Sequence, residues 1–233
     1  MQVTQLWRYP VKSMVGEVLT VADVDDLGID GDRQWGLVDR RTGLVLTARR
    51  VPQLLFAEPV PRDGGMAVRL PDGTVTDDDR VLSAWAGRPV ELRRPAPDER
   101  GHYAVEGSRL DDEAPAQWEG PAGVWHDSKR TRLSIVAEEA LGDGDVRRFR
   151  PNVVVRGGDE RKLVGSRIRL GTLVADVVKE IDRCVIVTRP QPGLDRDRSV
   201  LTRVHAERAG NLGVGALVVA PGRVSVGDPL EVV

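Results

Sequence analysis

Short apolar runs recur along this chain, separated by glycine, proline and aspartate, and that spacing predicts a mainly β protein. Residues 2–8 predict a first strand, closed by Tyr9-Pro10. Residues 16–24 alternate apolar and polar side chains and predict a second. Asp26-Leu27-Gly28-Ile29-Asp30-Gly31 carries turn chemistry. Residues 33–39 and 44–48 predict a hairpin around Arg40-Arg41-Thr42-Gly43, and 66–70 with 74–76 predict another around Pro71-Asp72-Gly73. One or two helical turns over 80–86 and a strand over 89–93 follow.

Composition then breaks at Pro95-Ala96-Pro97-Asp98-Glu99, which divides the chain into residues 1–95 and 96–233. Residues 108–128 are rich in Asp, Glu, Ala, Gly and Pro, with Trp118 and Trp125 interleaved, and predict a long ordered loop of the kind that often carries function. Strands are predicted at 133–136, 152–156, 167–170, 173–178 and 185–188. Short helices are predicted near 137–141 and over 199–209, the second with Val200 and Val204 on one face. A C-terminal hairpin is predicted from 214–219, a turn at Pro221-Gly222, and strands at 223–226 and 229–233.

At 233 residues the chain is long enough for one large domain or two small ones with a real core. A net charge of -2 argues against general nucleic-acid binding. A single cysteine excludes an intramolecular disulfide and any CxxC metal or redox motif. No apolar run has the ~20 residues that span a bilayer, and residues 1–7 lack the pattern of a signal peptide. The expectation is a soluble, cytoplasmic protein with no membrane or nucleic-acid partner.

The candidate chemistry centres on the lone Cys184, in Ile181-Asp182-Arg183-Cys184-Val185-Ile186-Val187-Thr188-Arg189-Pro190. The β-branched residues after it predict a buried strand that Cys184 enters. A free cysteine is among the most buried residue types and often serves packing alone. A thiolate, favoured by a cation such as Arg183, is a soft metal ligand and a strong nucleophile. His102, His126 and His205 lack zinc spacing, and no GxGxxG, P-loop lysine or GxSxG motif is present. Cations recur at strand ends and turns: Lys12 with Ser13, Arg33 after Gly31-Asp32, and Arg49 after Thr47-Ala48. Such groups suit a bound phosphate, although each taken alone fits a solvated loop better. Asn152, after Arg150-Pro151, has the donor and acceptor to read a heterocycle edge or to bond its own turn.

These fragments resemble, in order, the MOSC family with its N-terminal β-barrel domain, and in particular the mitochondrial amidoxime-reducing components and their bacterial relatives. The pieces are Tyr9-Pro10-Val11-Lys12-Ser13, Gly31-Asp32-Arg33-Gln34-Trp35, Thr47-Ala48-Arg49, Arg148-Phe149-Arg150-Pro151-Asn152-Val153-Val154-Val155, Asp182-Arg183-Cys184 and Val226-Gly227-Asp228-Pro229-Leu230. The resemblance implies a mainly β (α+β) fold with few short helices: an N-terminal β-barrel-like domain over 1–95 and a MOSC β-barrel domain over 96–233. It implies a molybdenum cofactor (Mo-molybdopterin), with Cys184 as metal ligand and catalytic centre. Lys12, Ser13, Arg33 and nearby Arg49 match the residues holding the cofactor phosphate. Arg150, Asn152 and Arg183 match positions lining the pterin and metal, and Asp127 and Thr131 fall in a segment approaching the pterin. Asp182 stands where eukaryotic members carry serine. The implied activity is reduction of small N-hydroxylated or N-oxygenated compounds, with electrons from a separate ferredoxin, flavodoxin or cytochrome type of protein. The alternative is a cofactor carrier, or a sulfur carrier using a Cys184 persulfide. The fused ferredoxin domain of some relatives and the membrane anchor of the mitochondrial ones are expected to be absent.

Overall fold

The first strand, β1 (Gln2–Arg8), pairs antiparallel with a strand from far along the chain, Val153–Arg156, with Leu6 opposite Val153. The computed structural model describes residues 1–104 and 117–233. Among them the fold is mainly β, with three α-helices. After β1 come β2 (Glu17–Leu19), β3 (Val21–Asp25), β4 (Gly28–Ile29), β5 (Gly36–Asp39), β6 (Glu58–Arg62), β7 (Gly65–Arg69) and β8 (Val75–Thr76). Then follow β9 (Val90–Arg93), β10 (Arg100–Ala104), β11 (Gln117–Ala122), β12 (Leu133–Ala137), β13 (Val153–Arg156) and β14 (Arg167–Leu170). The last four are β15 (Leu173–Asp182), β16 (Asn211–Ala220), β17 (Gly222–Ser225) and β18 (Leu230–Val232). The helices are α1 (Asp79–Ala86), α2 (Glu138–Leu141) and α3 (Ser199–Arg208).

The chain packs as two compact units. One comprises Met1–Arg8, Gly16–Asp32 and Arg130–Val233; the other comprises Tyr9–Val15 and Arg33–Lys129. Each is discontinuous, whereas the sequence reading divides the chain once, at 95. Strand pairing draws residues 1–8 and 16–32 into the first unit, because β1 and β2 extend the sheet that β12 and β13 begin.

The first unit holds an eight-stranded sheet in the order β18-β14-β15-β16-β12-β13-β1-β2. Only β12 and β13 run parallel, and a parallel pair needs a crossover of a dozen or more residues. Here the crossover carries α2 and a 3₁₀ turn, Val146–Arg148. Ile135, Val136, Val153, Val154 and Val155 in the middle of this sheet are all buried, which is why these strands read as continuous apolar runs. A smaller sheet, β17-β3-β4, completes the unit.

The second unit holds the sheets β5-β9, β6-β7-β8 and β10-β11. Its helix α1 is capped by Asp78, whose carboxylate accepts from the Arg80 N–H at 2.7 Å, and it stops at Gly87 with φ +69. The helix buries Leu82 against Val11, Met14, Leu37, Leu54, Val68 and Val90.

Several local expectations are corrected. Residues 16–24 form two strands, β2 and β3, broken at Thr20. Residues 44–48 contribute two isolated bridges, Val45 to Val38 and Leu44 to His102, rather than a strand. Of the loop expected over 108–128, residues 108–116 lie outside the described residues, and 117–122 is β11. Gly120 and Pro121 argued against that strand, but pairing with β10 overrides them. Residues 185–188 form a 3₁₀ turn rather than a strand, because β15 pairs with β16 only as far as Asp182 and local bonds take over. The C-terminal segments are not a hairpin: β16 pairs with β12 and β15, β17 with β3, and β18 with β14.

Leu6 is fully buried on β1. Leu6→Ala is expected to cost about 2–5 kcal/mol through lost burial and a residual cavity. Urea unfolding should show a lower midpoint with an unchanged slope, and a midpoint equal to wild type would remove β1 from the core.

Candidate functional site

The pairing of β15 with β16 ends at Asp182 opposite Asn211, and the chain then leaves the sheet at Arg183. Arg183 is held by both backbone and side chain. Its N–H donates to the Gly210 carbonyl at 2.9 Å. Its Nε donates to the Leu212 carbonyl at 2.7 Å and its Nη1 to the Phe149 carbonyl at 2.8 Å. The guanidinium lies 5.6 Å from the centre of the Phe149 ring, within cation–π range. Gly213 makes room for it: a Cβ there would come within 3.0 Å of the Arg183 guanidinium and 2.7 Å of Val136.

Cys184 follows as a partly exposed, free thiol in extended backbone, at the head of the 3₁₀ turn Val185–Thr188. Its carbonyl accepts from the Val187 N–H at 3.2 Å, and the Thr188 hydroxyl donates to the Val185 carbonyl at 2.8 Å. Beyond the turn, buried Arg148 donates to the carbonyls of Arg189 at 3.1 Å and Asp195 at 2.7 Å. The cysteine thus sits between two anchored stretches of backbone and is not a core packing residue.

Arg150 belongs to the same region, since its neighbour Phe149 receives the Arg183 guanidinium. It adopts φ +53 directly before Pro151. Asn152 is 1% exposed, and its amide is spent on protein partners. Nδ2 donates to Asp32 at 3.0 Å and to the Trp7 carbonyl at 3.4 Å, while Oδ1 accepts from the Ser134 hydroxyl at 3.1 Å. That bonding fixes the backbone around it rather than leaving an edge for a heterocycle. Thr131 lies against the bare face of Gly215, where a Cβ would meet its side chain at 2.2 Å.

The second unit collects the other cations. Lys12 and Ser13 are buried, and Ser13 adopts φ +67. The Ser13 hydroxyl accepts from the Ala48 N–H at 3.0 Å, which puts Arg49 one residue away. Arg33 adopts φ +51 and lies 5.0 Å over the Tyr9 ring. Lys12 is 3.0 Å from the Asp127 carboxylate and 5.4 Å over the Tyr103 ring, which stacks on Trp118. Local desolvation pushes the half-exposed Asp127 upward, but Lys12, by charge and hydrogen bond, with Arg33 and His126, holds it well below the usual carboxylate range. Burial, then the Asp127 charge, push the Tyr103 phenol far above its usual range.

Of the sequence candidates, the first unit therefore gathers Cys184, Arg183, Arg150 and Asn152, with Thr131 against β16. The second gathers Lys12, Ser13, Arg33, Arg49 and Asp127. Among the described residues four non-glycine residues have positive φ: Ser13, Arg33, Arg150 and Ala209. Three of them are sequence candidates, and backbone held in this region clusters at ligand sites. Tyr103, Arg148 and Gly213 were missed by sequence reasoning. Tyr103 had no motif, and Gly213 looked like any strand glycine. Among the described residues no three His, Cys, Asp or Glu side chains converge as a metal site, so a metal on Cys184 would need a group that brings further donors.

A family model described as the MOSC N-terminal beta barrel domain matches residues 1–83, and one described as the MOSC domain matches residues 128–231. The chain is 25% identical over 270 residues to a molybdenum cofactor sulfurase from Drosophila grimshawi, covering 99% of this chain and 34% of that protein. It therefore spans about a third of that relative's length. In fold it resembles the YUAD protein from Bacillus subtilis, with a TM-score of 0.52 and 17% identity over 99% of this chain and 94% of that one.

The lowered pKa of Asp127 sets a sign for pH. Its contribution to stability is present above the unfolded carboxylate range and is lost as pH falls through that range toward the depressed folded value. The side chain is 56% exposed, so solvent damps the effect. The melting-temperature gap between wild type and Asp127→Asn should be largest above about pH 5 and close in acid. A gap that widens in acid would contradict the Lys12 pairing. Separately, Asn152→Ala should cost about 1–3 kcal/mol, because it removes the amide that bonds buried Asp32 and half-buried Ser134; a neutral result in chemical unfolding would refute that role.

Proposed function

Because this chain is a member of the MOSC family, carrying its N-terminal beta barrel domain and its MOSC domain, we propose that it binds a molybdenum cofactor and reduces N-hydroxylated or related N-oxygenated compounds. The observation that carries the reading is the placement of Cys184: a lone, partly exposed thiol in extended backbone, directly after an arginine fixed by three carbonyls. A soft thiolate fits molybdenum, and a cofactor whose pterin brings two more sulfurs fits a protein that offers one. When bound, the cofactor supplies the two-electron chemistry that removes oxygen from the substrate nitrogen.

The chain's own residues hold and orient. Cys184 anchors the metal and does not attack substrate. Arg183 and Arg150 supply positive charge against an anionic cofactor. Lys12, Ser13, Arg33 and Arg49 form a cationic set suited to a phosphate; Lys12 would exchange its present partner, Asp127, for that anion. Asp127 and Thr131 are assigned to the pterin, and Asn152 to fixing the backbone beside Arg150. With one cysteine in the sequence there is no ligand set for an iron–sulfur cluster, so electrons come from a separate carrier protein of ferredoxin, flavodoxin or cytochrome type.

The sulfurase relative favours a second reading, in which the chain carries sulfur or the cofactor itself, with a persulfide on Cys184. Metal analysis after expression in a host competent for cofactor synthesis separates these. Wild type should hold molybdenum, and Cys184→Ser should fold but lose it, since a neutral hydroxyl replaces a soft thiolate. Loaded protein should reduce an amidoxime with reduced viologen as donor. Loaded protein that leaves a broad panel of N-oxygenated compounds unchanged would transfer the assignment to the carrier. Lys12→Ala and Arg33→Ala should each weaken cofactor retention by about 1.5–3 kcal/mol, non-additively in the double variant. Unchanged pterin release from both would sink the phosphate assignment.

A further inference from the structure

Glu160 is fully buried at the start of a 3₁₀ turn, Glu160–Leu163, and is none of the candidates discussed so far. One of its oxygens, Oε1, accepts from two donors. These are the guanidinium of Arg208, at the end of α3, and the Gly213 N–H at 3.0 Å, near the start of β16. One carboxylate oxygen thereby ties together the two ends of the connection from 208 to 213. The other oxygen, Oε2, has no hydrogen-bond partner among the described residues. A buried ion pair with an idle oxygen is a poor way to gain stability, since apolar side chains of similar volume do as well or better. Its value has to be sought in the conformation it enforces.

That conformation is unusual. Ala209, Gly210 and Gly213 all have positive φ, at +50, +85 and +83. The connection is also the template for Arg183: the Gly210 carbonyl accepts its N–H and the Leu212 carbonyl accepts its Nε. Gly213, whose N–H Glu160 holds, is the residue whose missing side chain admits the Arg183 guanidinium. Arg208 is 12% exposed and stands 3.8 Å from Asp159 as well, so the cation is set by two neighbouring carboxylates.

We infer that Glu160, with Arg208, is a positioning residue for Cys184: its carboxylate staples the 208–213 connection whose carbonyls fix Arg183, and so the backbone entering the cysteine. The inference rests on the reading of Cys184 as the working residue of its unit.

The test uses the full chain carrying Glu160→Gln, which keeps the volume and an acceptor for Gly213 but removes the charge. Three rates are compared with wild type: alkylation of Cys184 by iodoacetamide, amide exchange at Arg183, and amide exchange at Val154 in the same sheet. The first two should rise about tenfold, the scale of one charge-assisted hydrogen bond, while Val154 stays at its wild-type rate. Equal acceleration at all three sites would reveal a general loss of stability and overturn the inference, as would wild-type rates throughout. Arg208→Lys covers the case in which the Glu160 variant fails to fold. It keeps the charge but loses the fork, so it should accelerate alkylation by a smaller factor, and a wild-type rate in it also refutes the staple. Molybdenum content of the wild type is measured beside these rates. Its absence counts against the functional reading alone, whereas molybdenum-loaded wild type with unresponsive variants counts against the staple alone.

Discussion

Ten-residue strands β15 and β16 lie side by side until Asp182 meets Asn211, and the place where that ladder stops sets the backbone around Cys184. A β-branched run such as Val185-Ile186-Val187 prefers to continue as a strand. It cannot here, because its would-be partner has already turned back toward α3. Backbone groups leaving the sheet still require hydrogen bonds. Arg183 supplies them across the gap, the Cys184 carbonyl closes a local turn, and Arg148 caps the carbonyls beyond. The lone thiol is thus presented at the frayed end of a rigid ladder and kept out of its buried interior.

Strain is distributed in the same places. Ser13 and Arg33 in the second unit and Arg150 in the first hold a backbone conformation costing of order 1–3 kcal/mol each when the residue is not glycine. In each case nearby bonds over-determine it. The Ser13 hydroxyl receives the Ala48 N–H, the Arg33 N–H and carbonyl bind Tyr9 and Trp125, and the Arg150 N–H returns to Val146. Side chains on such residues point where a regular strand or helix would not send them, which is the geometric use of the strain.

Most of the β architecture was legible because its signals are local. The alternation in β3 and the apolar run of β13 each follow from neighbouring residues. What escaped was set by partners distant in sequence. β11 exists despite Gly120-Pro121 because β10 pairs with it, and 185–188 is a turn because β16 is no longer beside it. The candidate residues were legible only as a set in order: Lys12-Ser13, Asp32-Arg33 and Arg183-Cys184 are each unremarkable alone. Asn152 shows the limit, since its amide chemistry suits a ligand edge, yet Asp32 and Ser134 already occupy it. Gly213 shows another, because the need for a bare Cα arises from an arginine side chain thirty residues away in the chain.

The pairing of β1 with β13 also bears on how the molecule is made. All of the second unit's segments lie within residues 9–129, whereas Leu6, paired early with Leu19 of β2, has no partner on its other side until Val153 has been synthesised. At roughly 5–20 residues per second the ribosome leaves the first strand waiting several seconds to tens of seconds, with its apolar face open. Non-local antiparallel pairing of this kind is slow to nucleate and raises contact order. The vectorial order of synthesis therefore favours the inserted unit folding first, which shortens the loop that β1 must close.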